Sequence, residues 1–381
     1  MLSCRSIICL SFAIATISAA ERTNPTAEPL TAHEWGTFTS VAGADGSPIQ
    51  WLPLSGPSDL PCFVHRVAGR NIKVSYGTVR METPVIYFYA ALSRTISVHV
   101  DFPHGYITEW YPEASSVGNP SNHIEWSSVE IFPPEQAKFP IEKAQSHYYA
   151  ARETDSAPIR TGGQDEKLIF YRGMGDIAVP LRPKFTADGK LEIRAVAADP
   201  IPLAVVFENR GGKAGYTIVR NFKDSLTFQL PELTGGVARL RRDLGESLVS
   251  AGLYPKEAKA MIETWADSWF EEGTRVFYIA PRAAVDSELP LTIVPLPQTT
   301  QRVFVGRIEM LTPSMENDII TALSTGDVQS LTKHGRFLEP FLSQITRRGG
   351  KQPAQSPAAK AFINSAYQAL QKEYNSGTCA K

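Results

Sequence analysis

Three carboxylates in this chain stand directly beside indole rings: Glu34 before Trp35, Glu109 before Trp110 and Tyr111, and Glu125 before Trp126. A sugar ring offers an apolar face and a rim of hydroxyls, so a site for it needs a stacking ring next to hydrogen-bonding groups. Glycoside hydrolysis adds two carboxyl groups, one held neutral by an apolar neighbour and one ionised. On these grounds Glu34, Glu82, Glu109 and His33 are the candidate catalytic groups, and Trp35, Trp110 and Tyr111 the candidate substrate-binding rings. They would have to line one cleft near the junction of the opening strand and the first sheet, with two carboxyls about 5 to 10 Å apart. The same residues have a structural reading. A strand sends adjacent side chains to opposite faces, so Glu34 and Trp35 need not cooperate, nor Glu109 and Trp110. Enclosure of Trp35, Trp110 and Trp126, with Glu34 and Glu109 salt-bridged, would favour that second reading.

The remaining chemistry-bearing types give less. His33, His99, His104 and His123 could converge as metal ligands with Glu34 or Asp101, and His99 and Asp101 share a strand face by the period of two. A His-x-Asp pair on an open strand face is usually a solvated surface pair, and no metal is assigned. Arg80 with Glu82, Arg152 with Glu153 and Asp155, and Arg172 after Phe170-Tyr171 read as structural arginines, which would satisfy carboxylates at a seam between two β layers. No Gly-x-Ser-x-Gly elbow, His-Glu-x-x-His, Walker loop or Cys-x-x-Cys is present, and Asp45 and Asp165-Glu166 lack calcium-loop spacing. No cofactor is therefore implied. The commonest hydrolases and metalloproteases are argued against, although catalysis itself is not.

The first twenty residues address the protein. Arg5 precedes an apolar run from Ile7 to Ile17, and Ser18-Ala19-Ala20 supplies small residues ahead of Glu21. This is the pattern of a secretory signal peptide, too short for the ~20 apolar residues of a bilayer span. The expected location is secreted or periplasmic, with no membrane span. Cys4 and Cys9 leave with the leader. Cys62 and Cys379 remain as a disulfide candidate, the alternative being two free thiols. A bridge between them would close a loop worth on the order of 5 kcal/mol in the chain-entropy model. With 38 Lys and Arg against 39 Asp and Glu, neither nucleic acid nor an anionic membrane surface is an obvious partner.

The elements that must position these groups come next. Thr37-Phe38-Thr39 alternates as a strand after Gly36, which suggests a bulge or a close backbone approach. Ile72 to Tyr76 alternates as a strand, and Pro84 to Tyr89 reads as a strand buried on both faces. Thr95 to Phe102 alternates, with Ile96, Val98, Val100 and Phe102 inward. Lys167 to Gly173, Leu191 to Arg194, Leu203 to Phe207 and Tyr216 to Val219 add further strands. From Val237 the period changes: Leu240, Leu244 and Leu248 fall at helical spacing, and Pro255 opens a second helix. Its stripe of Ala258, Met261, Ile262, Trp265 and Trp269, running to Gly273, reads as core contact. Strands return at Thr274 to Ile279, at Leu289 to Val294 (confined to an edge by prolines) and at Arg302 to Ile308. Pro313 and Ser356-Pro357 start helices near the end. The expected fold is α+β: a mainly antiparallel, sandwich-like β body, then a helical and mixed C-terminal section. The expected organisation is a signal peptide over 1–20, a connector over 21–32, the β body over 33–235, a helical hairpin plus strands over 236–346, and a loose link with a C-terminal helix over 347–381.

The phrases His33-Glu34-Trp35-Gly36-Thr37-Phe38, Met81-Glu82-Thr83-Pro84-Val85, Thr108-Glu109-Trp110-Tyr111-Pro112 and Trp269-Phe270-Glu271-Glu272-Gly273 resemble those of a group of uncharacterised secreted bacterial proteins. The resemblance spans most of the mature chain and brings no activity with it. Residue types alone then point first to a carbohydrate-active protein, binding or hydrolysing a glycan or another extracellular small molecule. The alternatives are a non-catalytic extracytoplasmic interaction or structural protein, and a metal-dependent hydrolase.

Overall fold

A computed structural model describes residues 29–54, 60–67, 75–143 and 146–349, with positions 357, 361 and 364. The leader, residues 72–74 of the strand expected from Ile72 to Tyr76 and Cys379 lie outside the described residues, as does most of the last helix, and Ser75 and Tyr76 are not in a strand. Within them the chain runs β1 (Thr31–Val41), β2 (His65–Arg66), β3 (Val79–Tyr89), β4 (Arg94–Asp101), β5 (Gly105–Tyr111), β6 (Ser116–Val117) and β7 (His123–Ile131). It continues through β8 (Ile159–Thr161), β9 (Gln164–Glu166), β10 (Ile169–Gly175), β11 (Leu181–Phe185), β12 (Leu191–Ala195), β13 (Ile201–Arg210), β14 (Lys213–Phe222) and β15 (Ser225–Phe228). Helices then enter, with α1 (Val237–Ser250), α2 (Pro255–Thr264), β16 (Gly273–Ile279), α3 (Arg282–Glu288), β17 (Leu291–Val294) and β18 (Thr299–Met310). The described chain closes with α4 (Pro313–Thr325), α5 (Val328–Thr332) and α6 (Leu338–Gly349).

These elements form an α+β structure around a nine-stranded sheet in the order β14-β13-β16-β18-β1-β3-β10-β5-β2. Its pairs are antiparallel except β1 with β18, which run parallel from Thr31↔Thr299 to Val41↔Glu309. A six-stranded sheet contains β17-β4-β7-β8-β9 with β6 on β7, and a three-stranded sheet is β11-β12-β15. β17 is an edge strand, as its flanking prolines require. The expected division near residue 235 does not separate sheets. β16 and β18 from the C-terminal section sit inside the large sheet, and β18 is the direct neighbour of β1. A parallel pair needs a long crossover, which the intervening chain supplies and which no local period could reveal.

One apolar cluster unites a face of the large sheet (Phe38, Met81, Ile86, Tyr171, Phe304) with Val98, Val100 and Trp126 of the six-stranded sheet and Leu191 and Ile193 of the three-stranded one. The opposite face contributes Trp35, Val85, Phe207 and Val305 to a second cluster, covered by Leu240, Leu244, Leu248, Met261, Trp265 and Trp269. The tryptophan stripe is thus core. The helix carrying it ends at Thr264, not near Gly273, and Trp269 stays in line because its N–H reaches Trp265 O at 2.9 Å. A third cluster joins Val41 and Trp51 to α4, α5 and α6 through Ile319, Phe337 and Phe341.

The centre of the sheet is irregular where the sequence placed a glycine. The β1/β3 register shifts between Trp35 and Thr37, and Thr83 opposite adopts a φ of 50°. A Cβ on Gly36 would lie 2.6 Å from Phe304 Cε1 and 3.1 Å from Pro84 Cα, so only glycine lets these strands approach. The extra residue lies in β3: β1 keeps its alternation, with Trp35 and Thr37 on one face and Phe38 on the other, and the shift brings Val85 and Glu82 opposite Trp35 and Thr37.

Candidate functional site

Registers assign the faces of the predicted site residues. Glu34 is opposite Ile86 and Phe38 opposite Met81, all on the face of the first core cluster, whereas Thr37 is opposite Glu82 on the reverse face. Glu34 and Glu82 therefore lie on opposite sides of one sheet and share no groove. His33 faces the helices, again away from Glu34. The strand alternation that argued against cooperation of neighbours operates here.

Glu34 is fully enclosed. Its carboxylate accepts from Tyr171 OH and from Arg302 Nε, and Arg302 Nη1 reaches Asp286 of α3 at 2.8 Å. Burial raises the Tyr171 hydroxyl well above its ordinary range, with the Glu34 charge adding to it, so Tyr171 stays protonated as a donor. Burial disfavours the Arg302 cation, but Glu34 and Tyr171 outweigh it and the guanidinium remains charged. Trp35 points the other way into the second cluster, fully buried, and offers no ring to a ligand.

Glu82 is also fully buried and stands among arginines: Arg336 Nη1 at 2.6 Å and Arg80 Nε at 3.4 Å from Oε1. Burial would raise its pKa, yet Arg336, Arg80 and Arg307 together hold the carboxyl below the ordinary range. The network continues across the sheet. Arg307 Nε meets Glu309 at 2.6 Å and Arg307 Nη2 meets Glu271 at 2.7 Å, and Arg275 Nε lies 2.9 Å from the same Glu309 oxygen. Burial, only partly offset by Glu309, pushes the Arg275 pKa down to about 10.

Glu109 is half-buried, in register between Arg172 and Arg66, and accepts from Thr108 Oγ1. Trp110 is half-buried against the first cluster and Tyr111 is buried in the second, so the two adjacent rings do not form one stacking surface. Trp126 is fully buried and donates from Nε1 to Pro112 O at 3.0 Å. Near this sheet edge Arg152 sits over Phe63, Phe139, Tyr148 and Tyr149 and binds Glu166 at 2.6 Å. It does not use Glu153 or Asp155, as local spacing suggested; those rings are already filled by a protein cation.

His33 is 3% exposed, and its Nδ1 lies 2.8 Å from Glu257 Oε2 of α2. Tyr89 OH donates to Glu257 Oε1 at 2.7 Å and Tyr254 N–H to Oε2 at 2.7 Å, while the Tyr254 ring stacks 4.4 Å from the imidazole. Glu257 thereby fixes the imidazole and staples α2 to β1. His99 and Asp101 form a half-exposed pair at 3.2 Å, and His104 bonds Glu288 at 2.9 Å. Among the described residues, no group of three or more His, Cys, Asp or Glu is placed to hold a metal ion. Cys62 is disulfide-bonded, and Cys379, its expected partner, lies outside the described residues.

The groups that sequence reasoning missed are the partners: Arg302 and Arg307 on β18, Arg336 before α6, and Glu257 on α2. Arg302, Arg336 and Glu257 each stand more than two hundred residues from Glu34, Glu82 and His33, the groups they meet, and no periodicity links them. No family model matches the chain, and neither does any curated protein. Among solved structures, it shows similarity to the yeast delta-COP-I mu-homology domain complexed with a Dsl1 WxWxV peptide, at 8% identity over 74% of this chain and 96% of that one. The TM-score is 0.28, and nothing is transferred from it. No helix of the described residues is long and apolar enough to cross a membrane.

Proposed function

We propose that the chain is a non-catalytic extracytoplasmic interaction protein whose acidic-aromatic phrases serve the fold. The observation that carries this reading is the state of the two central carboxylates. Glu34 and Glu82 are fully enclosed, lie on opposite faces of one sheet and are ion-paired to Arg302 and Arg336. A general acid in glycoside hydrolysis must reach the leaving oxygen, and its partner must reach the sugar or a water. Neither group reaches solvent, and arginines engage both from within the fold. The outward location rests on the leader-like first twenty residues. The β body is read as a sandwich, supported by the single apolar cluster that the large sheet shares with both smaller ones.

The test is a glycan array together with a panel of glycoside substrates applied to the purified mature protein. The expected result is no turnover. Turnover that is lost in Glu34→Gln or Glu109→Gln, with the melting temperature unchanged, would overturn the proposal in favour of a carbohydrate-active enzyme.

A further inference from the structure

Each of the three sheets ends in two edge strands, and five of these six ends are blunted. β2, β9, β15 and β17 are only two, three, four and four residues long, β17 also stands between Pro290 and Pro295, and β11 carries Pro183. β14 is the exception: ten residues at the end of the nine-stranded sheet, with no proline and a continuous register against β13. Its entry fixes which backbone groups point outward. Gly211 and Gly212, at φ of 58° and 77°, make the two-residue turn from β13. Ala214 then exchanges two backbone hydrogen bonds with Gly235, at 2.7 and 3.0 Å, on the side away from β13. By the alternation of an antiparallel ladder, the N–H and C=O of Tyr216, Ile218 and Arg220 point the same way. Beyond Ala214 the edge is bare: these six groups have no hydrogen-bond partner among the described residues.

The side chains decide what pairs with this edge. Tyr216, Ile218 and Arg220 share the face under α1, where Tyr216 OH donates to Asp243 Oδ2 at 2.5 Å and Arg220 Nη1 to Ser247 Oγ at 3.3 Å. Arg220 is exposed and forms no ion pair with the described residues. A second β14, turned about a two-fold axis through Ile218, presents the same three residues in reverse order. Ile218 then meets Ile218, and each Tyr216 meets Arg220 of the second copy. The outward N–H and C=O groups of both copies are exchanged in three hydrogen-bonded pairs. Each Arg220 guanidinium comes beside the Tyr216 ring and the Asp243 carboxylate that holds it, an opposite charge that Arg220 lacks in its own copy. With 38 Lys and Arg against 39 Asp and Glu, two copies do not repel at long range. We propose that the chain forms a two-fold dimer in which β14 pairs with β14 of a second copy, joining the two nine-stranded sheets into one. This goes beyond the interaction reading above and does not depend on Glu34 or Glu82.

Sedimentation equilibrium of the whole mature protein, combined with amide hydrogen exchange, tests it. A strand-edge contact lies at the small end of specific interfaces, so reversible association in the micromolar range is expected. Raising the protein concentration through that range should slow exchange in peptides covering residues 216–220. Ile218→Pro removes one outward N–H and leaves the ladder to β13 intact, so the variant should keep the wild-type circular dichroism and remain monomeric. Arg220→Glu and Asp243→Lys should each weaken association by roughly 10-fold, since two exposed ion pairs are lost per dimer, and the double variant should recover it. A protein that stays monomeric well above the micromolar range would overturn the proposal. A dimer that survives Ile218→Pro, or one whose strength ignores both charge reversals, would overturn it as well.

Discussion

Removing Glu34 isolates a guanidinium inside the protein. Arg302 is 4% exposed and reaches Glu34 through Nε; Tyr171 OH loses its acceptor in the same change. Breaking a buried ion pair from one side costs about 3–5 kcal/mol. Asp286 still touches Arg302 Nη1 at 2.8 Å and is itself 43% exposed, so part of the charge stays compensated and the low end applies to Glu34→Ala. For the roughly 320 residues between 29 and 349, an unfolding entropy of about 2.1 cal/mol/K per residue gives about 0.67 kcal/mol/K. About 3 kcal/mol then corresponds to a fall of about 4 to 5 °C in Tm. Replacing both partners, Glu34→Leu with Arg302→Met, removes both charges together and should recover most of the loss, to within about 1 kcal/mol of wild type. Thermal scans of Glu34→Leu, Arg302→Met and their double variant form the cycle, with Glu34→Ala measured alongside. If Glu34→Ala and Arg302→Met each left Tm within a degree of wild type, the structural account of Glu34 would be wrong. Additive losses in the double variant would likewise show that the two side chains do not act as a pair.

Other outcomes follow from the same physics. Because arginines hold Glu82 below its ordinary pKa of 4.5, its contribution is complete above that pH and is lost as pH falls through the folded value. Acid unfolding curves should show this slope, and Arg336→Met should flatten it. His334, lowered from 6.5 by burial, works on a different window: the unfolded chain takes up the proton first, so stability declines as pH drops below about 6.5 and levels off beneath the folded pKa. His334→Phe should remove that decline, as read by urea midpoints between pH 7 and 5. Gly36→Ala should cost about 1–3 kcal/mol through overpacking against Phe304, and Phe304→Leu should recover part of it. Mass spectrometry of exported protein should find a mature chain beginning within a few residues of Glu21; an intact leader would contradict the secretory reading.

The sequence was most informative where local period and local sterics act alone. Alternation from Ile96 to Phe102 and the helical spacing of Leu240, Leu244 and Leu248 place these residues inward, and all are buried. Gly36 flagged an approach of backbones, and Phe304 and Pro84 are what approach it. Pro255 stands at the first turn of α2. The topology was not legible in the same way, because β18 reaches β1 from 268 residues away (Glu34 to Arg302) and neither strand carries a mark of its partner.

The candidate site shows the same boundary more sharply. A carboxylate next to an indole is one pattern with two physical outcomes, and the choice depends on what stands across the strand. For Glu34 that is Arg302, with Tyr171 beside it; Glu82, which has no indole neighbour, is met by Arg336 and Arg80. Both sets close the carboxylate off from solvent. Each carboxylate is met from within the chain, by Arg302 and Arg336, which no local spacing connects to Glu34 and Glu82.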